Sequence, residues 1–99
     1  MTFTLKLTLS AEYDVEDAMT WYNTARAGLG LAFFIELQEL LERIRLFPES
    51  CPIVRRGSRC LSMHIFPYNI FYRIVETQVE VFAVIHSSRN PKHWQERIH

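Results

Sequence analysis

The side chains most suited to chemistry in this sequence are one histidine and three arginines in its second half. His86 follows an apolar run of five residues, and Arg89 lies three positions later. Arg73 interrupts an earlier apolar run, and Arg97 lies near the end of the chain. Guanidinium groups bind phosphate or carboxylate through paired hydrogen bonds, and an imidazole can act as general acid or base. The set therefore predicts either a catalytic site that acts on a phosphate or a cationic surface that recognises a partner.

Other common site chemistries have little support in the sequence. Cys51 and Cys60 lie nine positions apart without the Cys-x-x-Cys spacing of a zinc site, so we expect two free thiols. No two histidines have the i, i+4 spacing that would place both imidazoles on one helical face. Ser87 and Ser88 lack the Gly-x-Ser-x-Gly context of an activated serine. The sequence therefore predicts no metal and no cofactor.

Length and charge limit the possible partners. The 99 residues suit a single domain, residues 1–99, and the formal charge is zero. No apolar run approaches the roughly 18 residues that cross a membrane, so we expect a cytoplasmic protein without a membrane partner. Residues 1–49 carry a net charge of −4 and residues 50–99 a net charge of +4. A neutral chain is not expected to bind nucleic acid by itself, although its second half can contact an anionic group.

The elements that position these residues begin with a strand and two helices. Apolar and polar residues alternate from Phe3 to Leu9, which predicts a half-buried strand. Ser10 is expected to cap a helix with acidic first turns and an apolar stripe that runs to about residue 26. A Gly28-Leu29-Gly30 turn leads into a second helix, which Pro48 ends. Because the connection is short, residues 11–47 should form an antiparallel helical hairpin.

The rest of the sequence predicts antiparallel strands and a short last helix. The strand candidates are residues 59–65, 69–76 and 79–86, with residues 53–56 as a further short candidate. The Phe66-Pro67-Tyr68 turn and a turn near Thr77-Gln78 join them, and links this short make neighbouring strands antiparallel. Asn90-Pro91 opens a final helical turn. The predicted fold class is α+β, with an N-terminal strand, a helical hairpin, a three- to four-stranded antiparallel sheet and a short C-terminal helix.

Both faces of the predicted sheet are apolar. Alternation assigns Ile70, Tyr72 and Ile74 to one face and Phe71 to the other. In the last strand it separates Val79, Val81, Ala83 and Ile85 from Phe82 and Val84. Two helices can cover only one face of such a sheet. Either the second face is left for an obligatory protein partner, or a C-terminal segment with Trp94 and Ile98 closes it, and the sequence leaves both arrangements open.

Several short motifs occur in an order that resembles the RelE/ParE family of small bacterial toxins. They are Trp21-Tyr22, the Gly28/Gly30 turn, Phe33 or Phe34, Pro48, Arg59, Phe66-Pro67-Tyr68, Tyr72-Arg73, His86, Arg89, and Trp94 with Arg97. The resemblance spans nearly the whole chain. It implies the toxin of a type II toxin–antitoxin pair, which forms a hetero-oligomer with a cognate antitoxin. We expect the antitoxin to contact Phe34, Phe71 and Phe82.

The two main branches of the family differ in mechanism. RelE-like members cut messenger RNA on the ribosome, and the resemblance places their lysines and first arginine at Cys60, Ser62 and Asn69 of this sequence. Their C-terminal tyrosine would fall at Trp94 or Gln95, so only Arg89 matches. ParE-like members, which are similar in their Phe-Pro-Tyr, Tyr-Arg and His-x-x-Arg motifs, are non-enzymatic poisons of DNA gyrase.

The resemblance therefore favours a ParE-like toxin that binds DNA gyrase without catalysis. The expected recognition surface consists of Arg59, Arg73, His86, Arg89, Trp94 and Arg97. One alternative is a RelE-like endoribonuclease, in which Arg73, His86 and Arg89 would be the catalytic residues. The other alternative is a non-toxic protein that keeps the toxin fold as a binding module.

Overall fold

A short strand and two long helices occupy the first half of the chain. The structure is a computed structural model that describes residues 2–98, so Met1 and His99 lie outside it. β1 (Thr4–Leu7) leads into α1 (Leu9–Ala25), and α2 (Leu29–Leu46) follows. The N-cap of α1 is Thr8, whose hydroxyl accepts a hydrogen bond from the Ala11 amide at 3.2 Å. The prediction of Ser10 was wrong because the alternating pattern continues past Leu7, where strand pairing stops.

The predicted helical hairpin is confirmed, and its turn depends on two glycines. Gly28 has a φ of +87°, in the left-handed region that suits a residue without a side chain. Gly30 lies where the helices approach most closely, and a Cβ there would come within 2.6 Å of the Met19 carbonyl oxygen. The Asn23 Oδ1 accepts a hydrogen bond from the Gly30 amide at 2.9 Å, which satisfies a free donor in the first turn of α2.

Four strands from the second half of the chain join β1 in one mixed sheet of five strands. The later elements are β2 (Ile53–Arg55), β3 (Ser58–Ser62), β4 (Tyr68–Val75), β5 (Gln78–His86) and α3 (Lys92–Gln95). The strand order is β1-β5-β4-β3-β2, with β1 parallel to β5 and all other neighbours antiparallel. The predicted order of elements is confirmed, but the sheet gains an edge strand because Thr4 pairs with Gln78. So distant a pairing leaves no local signal in the sequence.

A β-bulge in β5 changes which residues face the helices. The register between β4 and β5 shifts at Phe82, which is an extra residue on its strand. The β5 residues that pack beneath the helices are Val79, Val81 and, after the bulge, Val84. Ala83 and Ile85 lie on the opposite side together with Phe82. Strict alternation grouped Ala83 and Ile85 with Val79 and Val81, which was wrong because alternation cannot foresee an inserted residue.

The larger core lies between the helices and the sheet. Its most buried side chains are Phe33, Leu37, Ile44, Ile70, Tyr72, Val79, Val81 and Val84. The Tyr72 hydroxyl donates a 2.7 Å hydrogen bond to the Pro48 carbonyl oxygen, so this buried phenol has a partner. Burial raises the pKa of Tyr72 well above its ordinary value. The phenol therefore stays neutral and ties β4 to the end of α2.

The second face of the sheet is closed by the C-terminal segment. The Trp94 indole stacks on the Phe71 ring, with centroids 4.3 Å apart, and Ile98 packs in the same cluster. Phe71 and Phe82 are consequently only 5% and 4% exposed. Of the two arrangements that the sequence left open, closure by the chain's own C-terminal segment is the observed one. None of the helices within residues 2–98 is long and apolar enough to cross a membrane.

Candidate functional site

Arg73 is held in an ion pair away from His86. Its guanidinium lies 2.6 Å from the Glu80 carboxylate, and the Lys6 ammonium is 3.6 Å from the same group. The β4–β5 register pairs Arg73 with Glu80 and Tyr68 with His86. Five residues of strand therefore separate the two positions, or roughly 16 Å. Arg73 and His86 do not share a site.

Arg59 and Trp94 both contribute to the packing of the fold. The Arg59 guanidinium donates hydrogen bonds to the carbonyl oxygens of Glu49 at 3.2 Å and Cys51 at 2.6 Å. These contacts fix the loop after α2 against β3. Trp94 covers Phe71 on the second face of the sheet and does not line the groove that contains His86. The structure thus gives each of these predicted recognition residues a structural contact.

Arg97 closes the open edge of β5 with the help of Asp14. Its guanidinium makes a two-pronged contact with the Asp14 carboxylate, with distances of 2.5 and 3.1 Å. It also donates to the Phe82 carbonyl oxygen at 3.1 Å, while Asp14 accepts from the Val84 amide at 3.0 Å. Pairing with β1 ends at Val81, so these backbone groups would otherwise lack a strand partner. Arg97 and Asp14 therefore provide hydrogen-bond partners for backbone groups of β5.

The structure brings three of the predicted residues, His86, Arg89 and Arg97, together in one groove, where Arg97 is paired with Asp14. They lie in an open groove of about 640 Å³ between α1 and the end of β5, here called the α1–β5 groove. The side chains that line it on the helix include Tyr13, Asp14, Asp17 and Trp21. Those that line it on the sheet include Tyr68, His86, Ser88, Arg89 and Arg97. The groove is therefore acidic and aromatic on one wall and mostly basic on the other.

The orientation of the His86 ring is fixed by its neighbours. Its Nδ1 accepts a hydrogen bond from the Ser88 amide at 3.0 Å, and the Ser88 hydroxyl lies 2.8 Å away. Because an amide can only donate, the proton of a neutral His86 must reside on Nε2. The ring meets Tyr68 edge to face, with centroids 5.3 Å apart. His86 therefore presents a single N–H donor beyond these contacts.

The aromatic residues of the groove were missed as site residues. Trp21 was noted as a motif and Tyr13 was not singled out, yet they are 67% and 58% exposed. With Asp17 they occupy every fourth position of α1 and so share one face of the helix. This spacing, read together with an apolar stripe on the opposite side of the helix, is a signal that could have found them.

Tyr68 lines the α1–β5 groove together with its charged side chains. Burial is the main cause that raises the pKa of Tyr68 above its ordinary value. Tyr22, Asp14 and Asp17 raise the pKa further, and the positive charge of Arg89 lowers it. Both Asp17 and Arg89 are therefore close enough to act on this phenol. No group of three metal-ligating side chains comes together within residues 2–98.

Comparison with known proteins identifies a sequence family. The model of the family described as the ParE toxin of the type II toxin–antitoxin system parDE matches residues 5–91. No individual curated protein sequence gives a significant match. The family match runs from Leu5 in β1 to Pro91, so it includes every residue that lines the α1–β5 groove except Arg97.

Solved structures share the fold at low sequence identity. The chromosomal ParDE system of Pseudomonas aeruginosa matches with a TM-score of 0.78 and 16% identity, over 86% of this chain and 96% of that one. The RelBE2 toxin–antitoxin complex of Mycobacterium tuberculosis matches with a TM-score of 0.62 and 19% identity, over 87% and 99%. A mutant of Escherichia coli RelE in complex with a RelB peptide gives 0.65 and 13%, over 100% and 97%. These likenesses show a fold that both toxin branches share.

Proposed function

Because the chain belongs to the ParE toxin family of type II toxin–antitoxin systems, we propose that it inhibits bacterial growth by binding DNA gyrase. The α1–β5 groove is the recognition site in this proposal, with Arg89 and His86 as its hydrogen-bond donors. The proposal rests on a difference among the predicted arginines: in the described part of the chain, most of them are engaged by the fold itself, and Arg89 is not. Arg59, Arg73 and Arg97 are tied to carbonyl or carboxylate oxygens of the fold, whereas Arg89 has no ion-pair partner within residues 2–98.

The same separation weakens the ribonuclease alternative. Cleavage of RNA requires cations and a proton-transfer group around one phosphate, where each donor to the developing charge contributes a few kcal/mol. Arg73 lies roughly 16 Å along the sheet from His86 and is neutralised by Glu80. Arg89 and His86 would have to hold and activate the phosphate alone. We therefore propose recognition rather than catalysis for this pair.

We further propose that a cognate antitoxin binds the outer surface of the helical hairpin. The structural relatives include toxins in complex with antitoxins. Leu31, Phe34 and Ile35 are exposed on α2, and the first half of the chain carries the net negative charge. An amphipathic antitoxin helix with basic flanks suits such a surface. Phe71 and Phe82, which were also expected to contact the antitoxin, lie under the C-terminal segment, so the proposal rests on Phe34 and its neighbours.

Induction of the chain alone in a bacterial host tests the proposed target. Poisoning of gyrase predicts that DNA damage precedes any fall in protein synthesis, and a host with a toxin-resistant gyrase should keep growing. Co-expression of the product of the neighbouring gene should restore growth, and a Phe34→Asp variant should escape that rescue while remaining toxic. Loss of translation before DNA damage would contradict the gyrase proposal.

A further inference from the structure

We propose that the α1–β5 groove binds a protein segment that carries one basic and one acidic side chain. Asp17, flanked by Tyr13 and Trp21, receives the basic side chain, and Arg89 with His86 receives the acidic one. The inference rests on the proposed function in one respect, since the segment belongs to the protein target of the toxin.

The first support is a pair of unmatched charges. Asp17 and Arg89 both line the groove, and neither has an ion-pair partner among residues 2–98. Their neighbours Asp14 and Arg97 are fully engaged with each other. Asp17 raises and Arg89 lowers the pKa of the same Tyr68 phenol, and the two side chains form no ion pair with each other. The groove thus offers one free charge of each sign, which a ligand with both charges would match.

The second support is the aromatic character of the acidic wall. A cation placed over the face of a tryptophan or tyrosine is attracted by the ring, and a nearby carboxylate strengthens the contact. Tyr13, Asp17 and Trp21 supply two rings and one carboxylate at successive fourth positions of one helix. Trp and Tyr are also the residue types that most often dominate protein interfaces. This wall is therefore suited to an arginine or lysine side chain.

The third support is the donor-only character of the opposite wall. His86 Nδ1 is occupied by the Ser88 amide, so the group that it offers to a ligand is the Nε2–H. The Arg89 guanidinium can only donate. Donors from both residues in one groove favour a carboxylate, which can accept from both at once.

The charge of the acidic wall separates a protein segment from a nucleic acid. A polyanion in this groove would bring phosphates toward Asp17, and the chain has no net positive charge to offset that repulsion. A peptide segment with alternating charges meets no such repulsion. A groove of about 640 Å³ has room for several side chains of such a segment.

The test combines growth inhibition with binding to purified DNA gyrase holoenzyme. Asp17→Asn and Trp21→Ala should each weaken gyrase binding by about tenfold or more and relieve growth inhibition in parallel. Glu16→Gln on the same helix and Phe47→Ala, which removes an equally exposed aromatic elsewhere, should change binding less than about twofold. All four side chains are exposed, so the melting temperatures should stay close to that of the natural chain.

Asp17→Lys reverses the charge at this position and so distinguishes a protein segment from a nucleic acid as the occupant of the groove. A protein segment with a cation predicts that this variant binds more weakly than Asp17→Asn, whereas a nucleic-acid ligand predicts a gain that would overturn the inference. If Asp17→Asn and Trp21→Ala kept full toxicity but no longer bound the antitoxin, the inference would also be overturned, because the antitoxin would then occupy the groove. Toxicity that depends on Asp17 and Trp21 without gyrase binding would support the inference and contradict the gyrase target. A natural chain that neither inhibits growth nor binds gyrase would contradict both.

Discussion

Asp14 and Arg97 join the first helix to the C-terminal segment across nearly the whole length of the chain. The carboxylate accepts from the guanidinium and from the Val84 amide, while the guanidinium also donates to the Phe82 carbonyl oxygen. One ion pair thus completes the hydrogen bonding of β5 beyond the point where β1 ends. Both side chains also line the α1–β5 groove, together with Asp17 and Arg89.

The first prediction is that Arg97→Ala destabilises the fold. Both side chains are less than one third exposed, and the variant leaves Asp14 and the Phe82 carbonyl oxygen without a strong donor. We expect a loss of about 1–3 kcal/mol in the free energy of unfolding, measured by urea denaturation. Arg89→Ala is the matched control and should change it by less than about 0.5 kcal/mol. Equal losses in the two variants would show that Arg97 is not the structural arginine.

The second prediction concerns the buried carboxylate of Glu36. It accepts from the backbone amides of His64, Ile65 and Phe66 at 2.9 to 3.4 Å, and so fixes the loop that leads to Tyr68. Glu36→Gln places an amide that can donate where acceptors are required, and we expect a loss of roughly 2 kcal/mol or more. The same substitution at the exposed Glu39 of α2 should have little effect. Amide hydrogen exchange at residues 64–66 should become faster in the Glu36 variant alone, and unchanged protection there would argue against this role.

The third prediction follows from the covered face of the sheet. The sequence led us to expect an antitoxin contact at Phe71, but Phe71 is only 5% exposed, almost as inaccessible as the core residue Tyr72. Phe71→Asp and Tyr72→Asp should therefore both lower the melting temperature severely, because each buries an unpaired charge. Val75→Asp on the same strand is exposed and serves as the control. A Phe71 variant that melts like the natural chain would mean that the C-terminal segment does not cover this face in solution.

The fourth prediction is that Cys60 reacts slowly in the folded protein. Burial, with a smaller effect of Cys51, raises the pKa of the Cys60 thiol from its ordinary value of 9.0 to about 11. At pH 8 the thiolate population is then about a hundredfold lower than in the unfolded chain, and alkylation by iodoacetamide should slow by a similar factor. Because the thiol ionises at a lower pH in the unfolded chain than in the folded protein, the free energy of unfolding should fall as the pH rises from 9 toward 11. Peptide mapping that finds equal labelling with and without urea would contradict the buried thiol.

Local patterns sufficed for much of the fold. Gly28 and Pro48 marked the limits of α2, and the short turns between strands fixed their antiparallel order. The failures depend on contacts that no local pattern contains. The pairing of β1 with β5 joins residues more than seventy positions apart, and the bulge at Phe82 reverses the faces of the residues that follow it.

The candidate site was predictable only in part for the same reason. His86 and Arg89 are three positions apart on one turn, so their proximity could be read from the sequence. Arg73 and Arg97 looked equivalent to them as cations, but Glu80 and Asp14 neutralise each one through tertiary contacts. The opposite wall comes from α1, and only the packing of α1 on β5 brings Trp21 and Asp17 to the groove.

Inhibition of gyrase by the purified chain tests the central claim most directly. The natural protein should inhibit DNA supercoiling or stabilise the cleaved DNA complex of gyrase, and it should leave messenger RNA intact on translating ribosomes. Arg89→Ala should weaken the inhibition strongly, whereas His86→Gln should change it only slightly because recognition requires no proton transfer. A catalytic histidine would instead lose activity by about 10²- to 10⁴-fold. Codon-specific cleavage of messenger RNA that disappears in His86→Gln, with gyrase unaffected, would contradict the account.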